Sequence, residues 1–333
     1  GREALALARS GAETQAVAAL AEAFQSGEAP EIGVKCGKRR HPPHSPTPTL
    51  THSHLVSGAA VNQVLAALGD AGHLDAAVAS YDAMRKQRRV VPTVVTFGTI
   101  IGRAAKARRP ELALRVWHDM TEAGVRPDVP ATNALLNAYA KAATADDGNS
   151  TEWADRAVQM LKGMRGNKSL LTPNIITYNT VIDAVGRSGD LPRASRLLLD
   201  MANDGIQPNE RTYSILIHSC ARLGRVDDAF ALVRHMHKLH GLEPNAVTYS
   251  TLISACDKAG DLSRALQTLD EMKSSDRVEP NVFSYSSAIS ACGRAGEYER
   301  ALELLAEVAP LCITPPPPPP PPPAATPAPS PMP

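Results

Sequence analysis

The sequence predicts an all-α protein, a solenoid of about seven helix-turn-helix repeats. Three observations predict it. The core of Pro173-Asn174-Ile175-Ile176-Thr177-Tyr178-Asn179 recurs as Pro208-Asn209-Glu210-Arg211-Thr212-Tyr213-Ser214, Pro244-Asn245-Ala246-Val247-Thr248-Tyr249-Ser250 and Pro280-Asn281-Val282-Phe283-Ser284-Tyr285-Ser286. Looser copies stand at Pro127-Asp128-Val129-Pro130-Ala131-Thr132-Asn133 and Pro92-Thr93-Val94-Val95-Thr96-Phe97-Gly98. Self-similarity at a fixed period means stacked units sharing one elongated core, which overrides the two domains that 333 residues would otherwise suggest. A hydrophobic content of 43% with 4% aromatics suits tight helix packing by Ala, Leu, Val and Ile rather than a β-sandwich.

In chain order, residues 1–26 read as a helical segment and a candidate degenerate repeat, with Ala16, Ala19, Leu20 and Phe24 on one face. Residues 27–57 carry Pro42, Pro43, Pro46, Pro48, a Lys38-Arg39-Arg40 cluster and four histidines without helical periodicity, and read as a flexible linker. His41, His44, His52 and His54 lack the cysteines or helical frame that a metal site would use, so no metal is expected. The repeats then run 58–93, 94–128, 129–174, 175–209, 210–245, 246–281 and 282–316, with a Pro-rich tail over 317–333.

Five of the seven repeats are expected to open on a helix with a Ser or Thr N-cap (Thr96, Thr177, Thr212, Thr248 and Ser284), the hydroxyl satisfying an orphan backbone N–H. Breaks such as Gly189-Asp190, Gly224-Arg225, Gly260-Asp261 and Gly296-Glu297 end that helix, and Pro110 and Pro192 fall in the first turn of the second, where proline costs no hydrogen bond. In the second helix, alanine is followed seven residues later by methionine, as in Ala113 and Met120 or Ala194 and Met201, which puts both on one buried face. The last repeat has Val308 at the methionine position, and Pro310 is expected to stop its helix. The third repeat, 46 residues long, owes its excess to the polar stretch Thr144–Thr151 between its helices. Cys220, Cys256 and Cys292 lie at equivalent positions one repeat apart, where other repeats hold Leu68, Ala104, Tyr139 and Val185, so they read as buried packing sites rather than disulfides.

Net charge of +1 places any nucleic-acid affinity in charge sorted onto one face, and no run of 18 apolar residues offers a membrane span. There are no clustered carboxylates, no Gly-rich phosphate loop, no nucleophile arrangement, and no Cys-x-x-Cys paired with His-x-Glu, so neither an enzyme nor a cofactor is expected. His235, His237 and His240 are not at a spacing that converges on a metal.

From residue 58 to 316 the Thr-Tyr-Asn/Ser start and Pro-Asn/Asp end resemble a pentatricopeptide-repeat protein of the plain type, and the Trp-Leu-Gly-Tyr framework of the tetratricopeptide repeat is absent. The resemblance implies a right-handed αα-superhelix that binds single-stranded RNA, one base per repeat, in chloroplast or mitochondrion, for transcript stabilisation, processing or translation. It further implies that the residue after the repeat's aromatic acts with the repeat's last residue on a base. The pairs are Asn62 with Thr93, Gly98 with Asp128, Asn133 with Asn174, Asn179 with Asn209, Ser214 with Asn245, Ser250 with Asn281, and Ser286 with Pro316. Asn with Asn resembles a pyrimidine reader and Ser with Asn an adenine reader, so repeats three to six would favour pyrimidine-pyrimidine-A-A. Gly98, Thr93 and Pro316 make repeats one, two and seven poor readers. Each Asn or Ser has the competing reading of a helix cap or turn residue.

Three residues before the base-reading position stand Val95, Ile176, Arg211, Val247 and Phe283, with Ala59 and Pro130, where the family sandwiches bases. Eight residues beyond it stand Lys106, Lys141, Arg187, Arg222, Lys258 and Arg294, with Asp70 the exception. Such a stripe suits phosphates, and equally suits the dipole at a helix C-terminus. A monomer is expected, with single-stranded RNA as the partner, no membrane, and a processing enzyme as a further partner to be recruited. The second function class is a protein-binding scaffold, because αα-solenoids present long concave surfaces to peptides as well as to RNA.

Overall fold

The computed structural model describes residues 58–87, 92–143, 149–166 and 171–312, which form fourteen α-helices and no strand. The expected helix over 1–26, the 27–57 linker and the tail beyond 312 lie outside the described residues. Two compact units divide the chain, Gly1–Leu223 and Gly224–Pro333.

The first unit holds α1 (Gly58–Asp70), α2 (Leu74–Gln87), α3 (Val94–Lys106), α4 (Pro110–Glu122), α5 (Val129–Ala142), α6 (Ser150–Arg165), α7 (Ile175–Ser188), α8 (Leu191–Asn203) and α9 (Glu210–Arg222). Within it each odd-numbered helix packs on the next odd-numbered one, and α1/α2, α3/α4, α5/α6 and α7/α8 pair as antiparallel hairpins. The second unit holds α10 (Val226–His240), α11 (Ala246–Ala259), α12 (Leu262–Lys273), α13 (Val282–Ala295) and α14 (Tyr298–Cys312). There α11 packs on α13, and α11/α12 and α13/α14 are the hairpins.

The row of first helices is therefore the spine of each unit, and its packing residues are those the period marks. Phe97, Tyr178 and Tyr213 are fully buried, as are the alanine and methionine pairs Ala113/Met120, Ala194/Met201 and Ala265/Met272. Cys220, Cys256 and Cys292 are buried and form no disulfide, and Leu68, Ala104, Tyr139 and Val185, at the same position of their own repeats, are buried too. Burial pushes the Cys256 thiol up to about 11, which leaves it a small apolar group at neutral pH.

Pro110 and Pro192 occupy the first turn of α4 and α8. At the hairpin bends Gly189 and Gly260 adopt φ of 95° and 74°, left-handed conformations that glycine enters without a Cβ clash. Arg108 occupies the equivalent bend between α3 and α4 with φ 55°, the one non-glycine with positive φ among the described residues.

Three expectations are corrected. The N-caps are Thr93, Asn174, Asn209, Asn245 and Asn281, three residues upstream of Thr96, Thr177, Thr212, Thr248 and Ser284, and Asp128 caps the remaining first helix of this kind, α5. The reason is reach: an Asn or Asp carbonyl in extended backbone meets the N–H three residues on, while the Thr or Ser there is already helical and buried. Ser150 and Thr151 belong to the first turn of α6 rather than to the inserted loop. Pro310 does not end α14, which runs on to Cys312, because proline's fixed φ is helical and so close to a C-terminus it forfeits one bond.

Ion pairs between successive repeats reinforce the second helices. Arg264 Nη1 lies 2.6 Å from Asp227, Lys273 Nζ 2.5 Å from Glu307, and Arg193 pairs with Asp155. Their exposure makes each worth little alone. Tyr178 Oη donates to Asp204 Oδ2 at 2.5 Å, and Arg165 Nη2 reaches the other oxygen at 2.8 Å, tying the second helix of one repeat to the hairpin of the next.

Candidate nucleic-acid interface

Each first helix begins with the segment that the sequence marks, and the cap orders its geometry. In α7, Asn174 Oδ1 accepts the Thr177 N–H at 2.9 Å while Thr177 Oγ1 accepts the Asn174 N–H at 3.2 Å. In α9 the same box closes between Asn209 and Thr212, at 3.0 and 3.2 Å. Asp128 caps α5 through Ala131 N–H at 2.8 Å, and Asn245 and Asn281 cap α11 and α13 at 3.0 and 2.9 Å. The residues proposed as second readers are thus the helix caps themselves, so the capping reading holds for each of these Asn and Asp side chains.

The cap also brings the paired positions together. Thr212 Oγ1 donates to Asn179 Oδ1 at 2.7 Å and lies 3.1 Å from Asn209 Oδ1, so one hydroxyl joins both members of the fourth repeat's pair. Thr177 Oγ1 does the same for Asn133 at 2.8 Å and Asn174 at 3.0 Å. In the second unit Ser250 Oγ lies 3.5 Å from Asn281 Oδ1. Asn62 Oδ1 is buried with no hydrogen-bond partner, and Thr93, on the far side of that pair, instead meets Thr96 hydroxyl to hydroxyl at 3.3 Å. Gly98 brings no side chain toward Asp128. Ser214 and Asn245 belong to different units, and Ser286 is exposed while Pro316 lies outside the described residues.

The positions three before the reading residue are exposed although most are large and apolar: Val95 is 62% exposed, Ile176 59%, Val247 63% and Phe283 61%. Arg211 and Pro130 are exposed too, and the Ala59 side chain lies outside the described ones. A cleft of about 330 Å³ opens between α7 and α9, lined by Ile176, Asn179, Asp183, Asn209, Arg211 and Ile215 among others. Asn179 and Asn209, which the resemblance pairs in the fourth repeat, line it together with the aliphatic Ile176 and the guanidinium of Arg211. Asp183, on its rim, is held by Arg187 Nε at 2.7 Å.

The six basic residues all fall in the last turn of a first helix. Several are engaged with the protein. Arg222 donates to the Gly186 and Arg187 carbonyls at the end of α7, at 3.0 and 2.5 Å, and Arg294 to the Asp257 carbonyl and carboxylate, both at 3.0 Å. Lys106 sits 3.5 Å from Asp70, while Lys258 is exposed, and Lys141 also ends its helix. Arg222 in particular completes a helix C-terminus as well as presenting charge.

Among the described residues no group of three or more His, Cys, Asp or Glu side chains is placed to hold a metal.

Comparison with known proteins bears on the repeats directly. The PPR repeat family matches residues 92–141, 173–222 and 216–258, the pentatricopeptide repeat domain matches 238–295, and the PPR repeat matches 283–308. Together these matches cover more than half of the chain, in register with the helices described above. The chain belongs to the pentatricopeptide repeat family. Its relatives include a pentatricopeptide repeat-containing protein of Arabidopsis thaliana, 27% identical over 54% of this chain and 30% of that protein. A second from the same plant, named chloroplastic, is 26% identical over 61% of this chain and 40% of its own length. Pentatricopeptide repeat-containing protein 10 of Zea mays, also named chloroplastic, is 34% identical over 32% of this chain and 12% of its own. The pentatricopeptide repeat chain thus spans well under half the length of these relatives. Among solved structures, PPR10 in complex with an 18-nt psaJ RNA element aligns over 94% of this chain and 48% of that one, with 22% identity and a TM-score of 0.46.

Sequence reasoning missed the joining role of Thr177 and Thr212, having assigned them the cap. The signal was present as a hydroxyl residue two before the reading position in five of the seven repeats, but a linear sequence does not say which neighbour that hydroxyl meets.

Proposed function

We propose that this pentatricopeptide repeat chain binds single-stranded RNA along its first helices, with one base per competent repeat, and acts in organellar RNA metabolism. The observation that carries this reading is the cleft around Asn179 and Asn209. Flat, apolar-faced and polar-edged ligands fit a slot with Ile176 and Arg211 on its walls and two amides within it, and an unstacked base is such a ligand. Recurrence of exposed Val95, Ile176, Val247 and Phe283 at one position supports the same use in other repeats, since isolated water-exposed aliphatics at a fixed period gain nothing from packing.

The reading pairs are Asn133 with Asn174, Asn179 with Asn209 and Ser250 with Asn281, and the basic helix ends contribute phosphate contacts. The two relatives named chloroplastic support an organellar setting. The PPR10 structure is of an RNA complex, and the PPR domain of Arabidopsis protein-only RNase P 1 has been solved with tRNA. Any processing step belongs to a recruited partner or to sequence outside this chain.

The test is equilibrium binding of oligoribonucleotides with a pyrimidine-pyrimidine-A-A core and single-base variants of it. Tight, sequence-dependent binding is expected, and Asn179→Asp with Asn209→Ala should change the preferred base without unfolding the repeats. A folded double variant with unchanged preference rejects the base-reading role, and absence of binding to any single strand turns the reading toward a protein-binding scaffold.

A further inference from the structure

We propose that Thr177 and Thr212 are positioning residues that set the specificity of the preceding repeat, by holding the reading amide with its oxygen inward and its amino group toward the ligand. This rests on the base-reading function proposed above and adds to it residues that touch no base, since both threonines are fully buried.

A threonine hydroxyl has one proton to donate and two lone pairs that accept. Thr212 Oγ1 accepts the Asn209 backbone N–H at 3.2 Å, which uses one of those lone pairs. Asn209 Oδ1 already accepts the Thr212 backbone N–H at 3.0 Å. The hydroxyl proton goes to its shortest acceptor, Asn179 Oδ1, at 2.7 Å. An amide turned over would remove that 2.7 Å acceptor and leave the Thr212 proton only the longer, 3.1 Å contact to Asn209 Oδ1, which already accepts the Thr212 N–H. Asn179 is 6% exposed, so the loss is not made good by bulk water.

Thr177 repeats the arrangement on Asn133, with distances of 2.8 Å to Asn133 Oδ1 and 3.2 Å from the Asn174 N–H. The second unit differs: Ser284 Oγ donates to the Asn281 backbone carbonyl at 2.8 Å, and no amide stands opposite it at Ser250.

With its oxygen withdrawn, Asn179 offers the ligand a donor, and Asn133 offers the one of its two amide hydrogens that does not face Asn174 Oδ1, which lies 3.5 Å from its nitrogen. The O2 carbonyl that both pyrimidines carry meets that donor, whereas the N1–H and N2–H₂ of guanine oppose it. The pocket at Asn179 supplies the space, and Thr212 supplies the sign of the hydrogen bond.

The test uses the full chain and oligoribonucleotides with a pyrimidine-pyrimidine-A-A core, in which each pyrimidine in turn becomes guanine. Thr212→Val keeps the shape and removes the hydroxyl. It should lower pyrimidine-over-guanine discrimination about ten-fold at the second position and leave the first unchanged, the size expected for one base-edge contact. Thr177→Val should do the reverse, and Thr212→Ser and Thr177→Ser should restore discrimination. Circular dichroism melts verify that each variant is folded, and the two valine variants control for each other.

An equal loss of affinity for all sequences, or unchanged discrimination in Thr212→Val while Asn179→Ala abolishes it, overturns the positioning role alone. If Asn179→Ala also leaves discrimination unchanged, base reading itself fails and this inference falls with it.

Discussion

Gly186 and Ser219 meet across the α7–α9 contact so closely that a Cβ on Gly186 would lie 2.2 Å from Ser219 Oγ and 3.0 Å from Ser219 Cβ. Ser219 Oγ is itself bonded to the Ile215 carbonyl at 2.9 Å, so it is held in that place. The two helices approach here because neither carries a large side chain, and this closeness sets the spacing of the cleft that Asn179 and Ile215 line. Gly186→Ala should therefore destabilise the protein by about 1–3 kcal/mol, as overpacking does. Adding Ser219→Ala removes the shorter contact and should recover much of the loss. Urea denaturation of the single and double variants would show additive losses if the two residues did not press on each other.

Arg108 occupies the left-handed bend that glycine fills at Gly189 and Gly260. A side chain in that region costs about 1–2 kcal/mol, part of which glycine forfeits through its freedom in the unfolded chain. Arg108→Gly should accordingly stabilise by about 0.5–1 kcal/mol, read as a higher urea midpoint at unchanged slope. A lower midpoint would mean that the Arg108 side chain contributes more than its backbone costs.

Three carboxylates are held below their ordinary range. At Asp204 burial acts the other way but is outweighed by hydrogen bonds from Tyr178 and Arg165. Asp261 is held by the Arg264 backbone N–H and guanidinium, and Glu307 by Lys273 and then Tyr285. A depressed folded pKa gives stability that is fully present above the unfolded value, about 4, and is lost as pH falls through the folded one. Stability should be flat from neutrality to about pH 5 and fall below about pH 4. Asp204→Asn with Glu307→Gln should lower the plateau and flatten that fall, measured by chemical denaturation at stepped pH. An unchanged acid limb would show that other groups govern it.

Lys258 and Arg222 hold equivalent places but different surroundings. Lys258 is exposed, whereas Arg222 bonds the carbonyls that end α7. Lys258→Gln should reduce the salt slope of RNA binding by about 0.7, one phosphate on a single strand, with stability unchanged. Arg222→Gln should cost about 1 kcal/mol of stability as well, through the lost hydrogen bonds. A salt slope insensitive to Lys258 would remove it from the phosphate contacts.

The αα fold, the burial of the alanine–methionine and cysteine positions and the exposure of Val95, Ile176, Val247 and Phe283 were legible from the chain, since each follows from a side chain's place in a 35-residue period. The insert boundary at Ser150 and the run of α14 through Pro310 were not, because helix ends depend on local hydrogen bonds that residue preference only weakly constrains.

The same division holds at the interface. Repetition is a one-dimensional property, so spacing alone put Asn179 and Asn209 at comparable points of one repeat, and family likeness paired them. Hydrogen bonding between repeats is not one-dimensional. That Thr212 turns its hydroxyl back to Asn179 and that Arg222 is spent on the carbonyls of α7 both follow from helices 33 to 36 residues apart meeting in space. A hydroxyl has one proton to give, and only the packed neighbours decide which oxygen receives it.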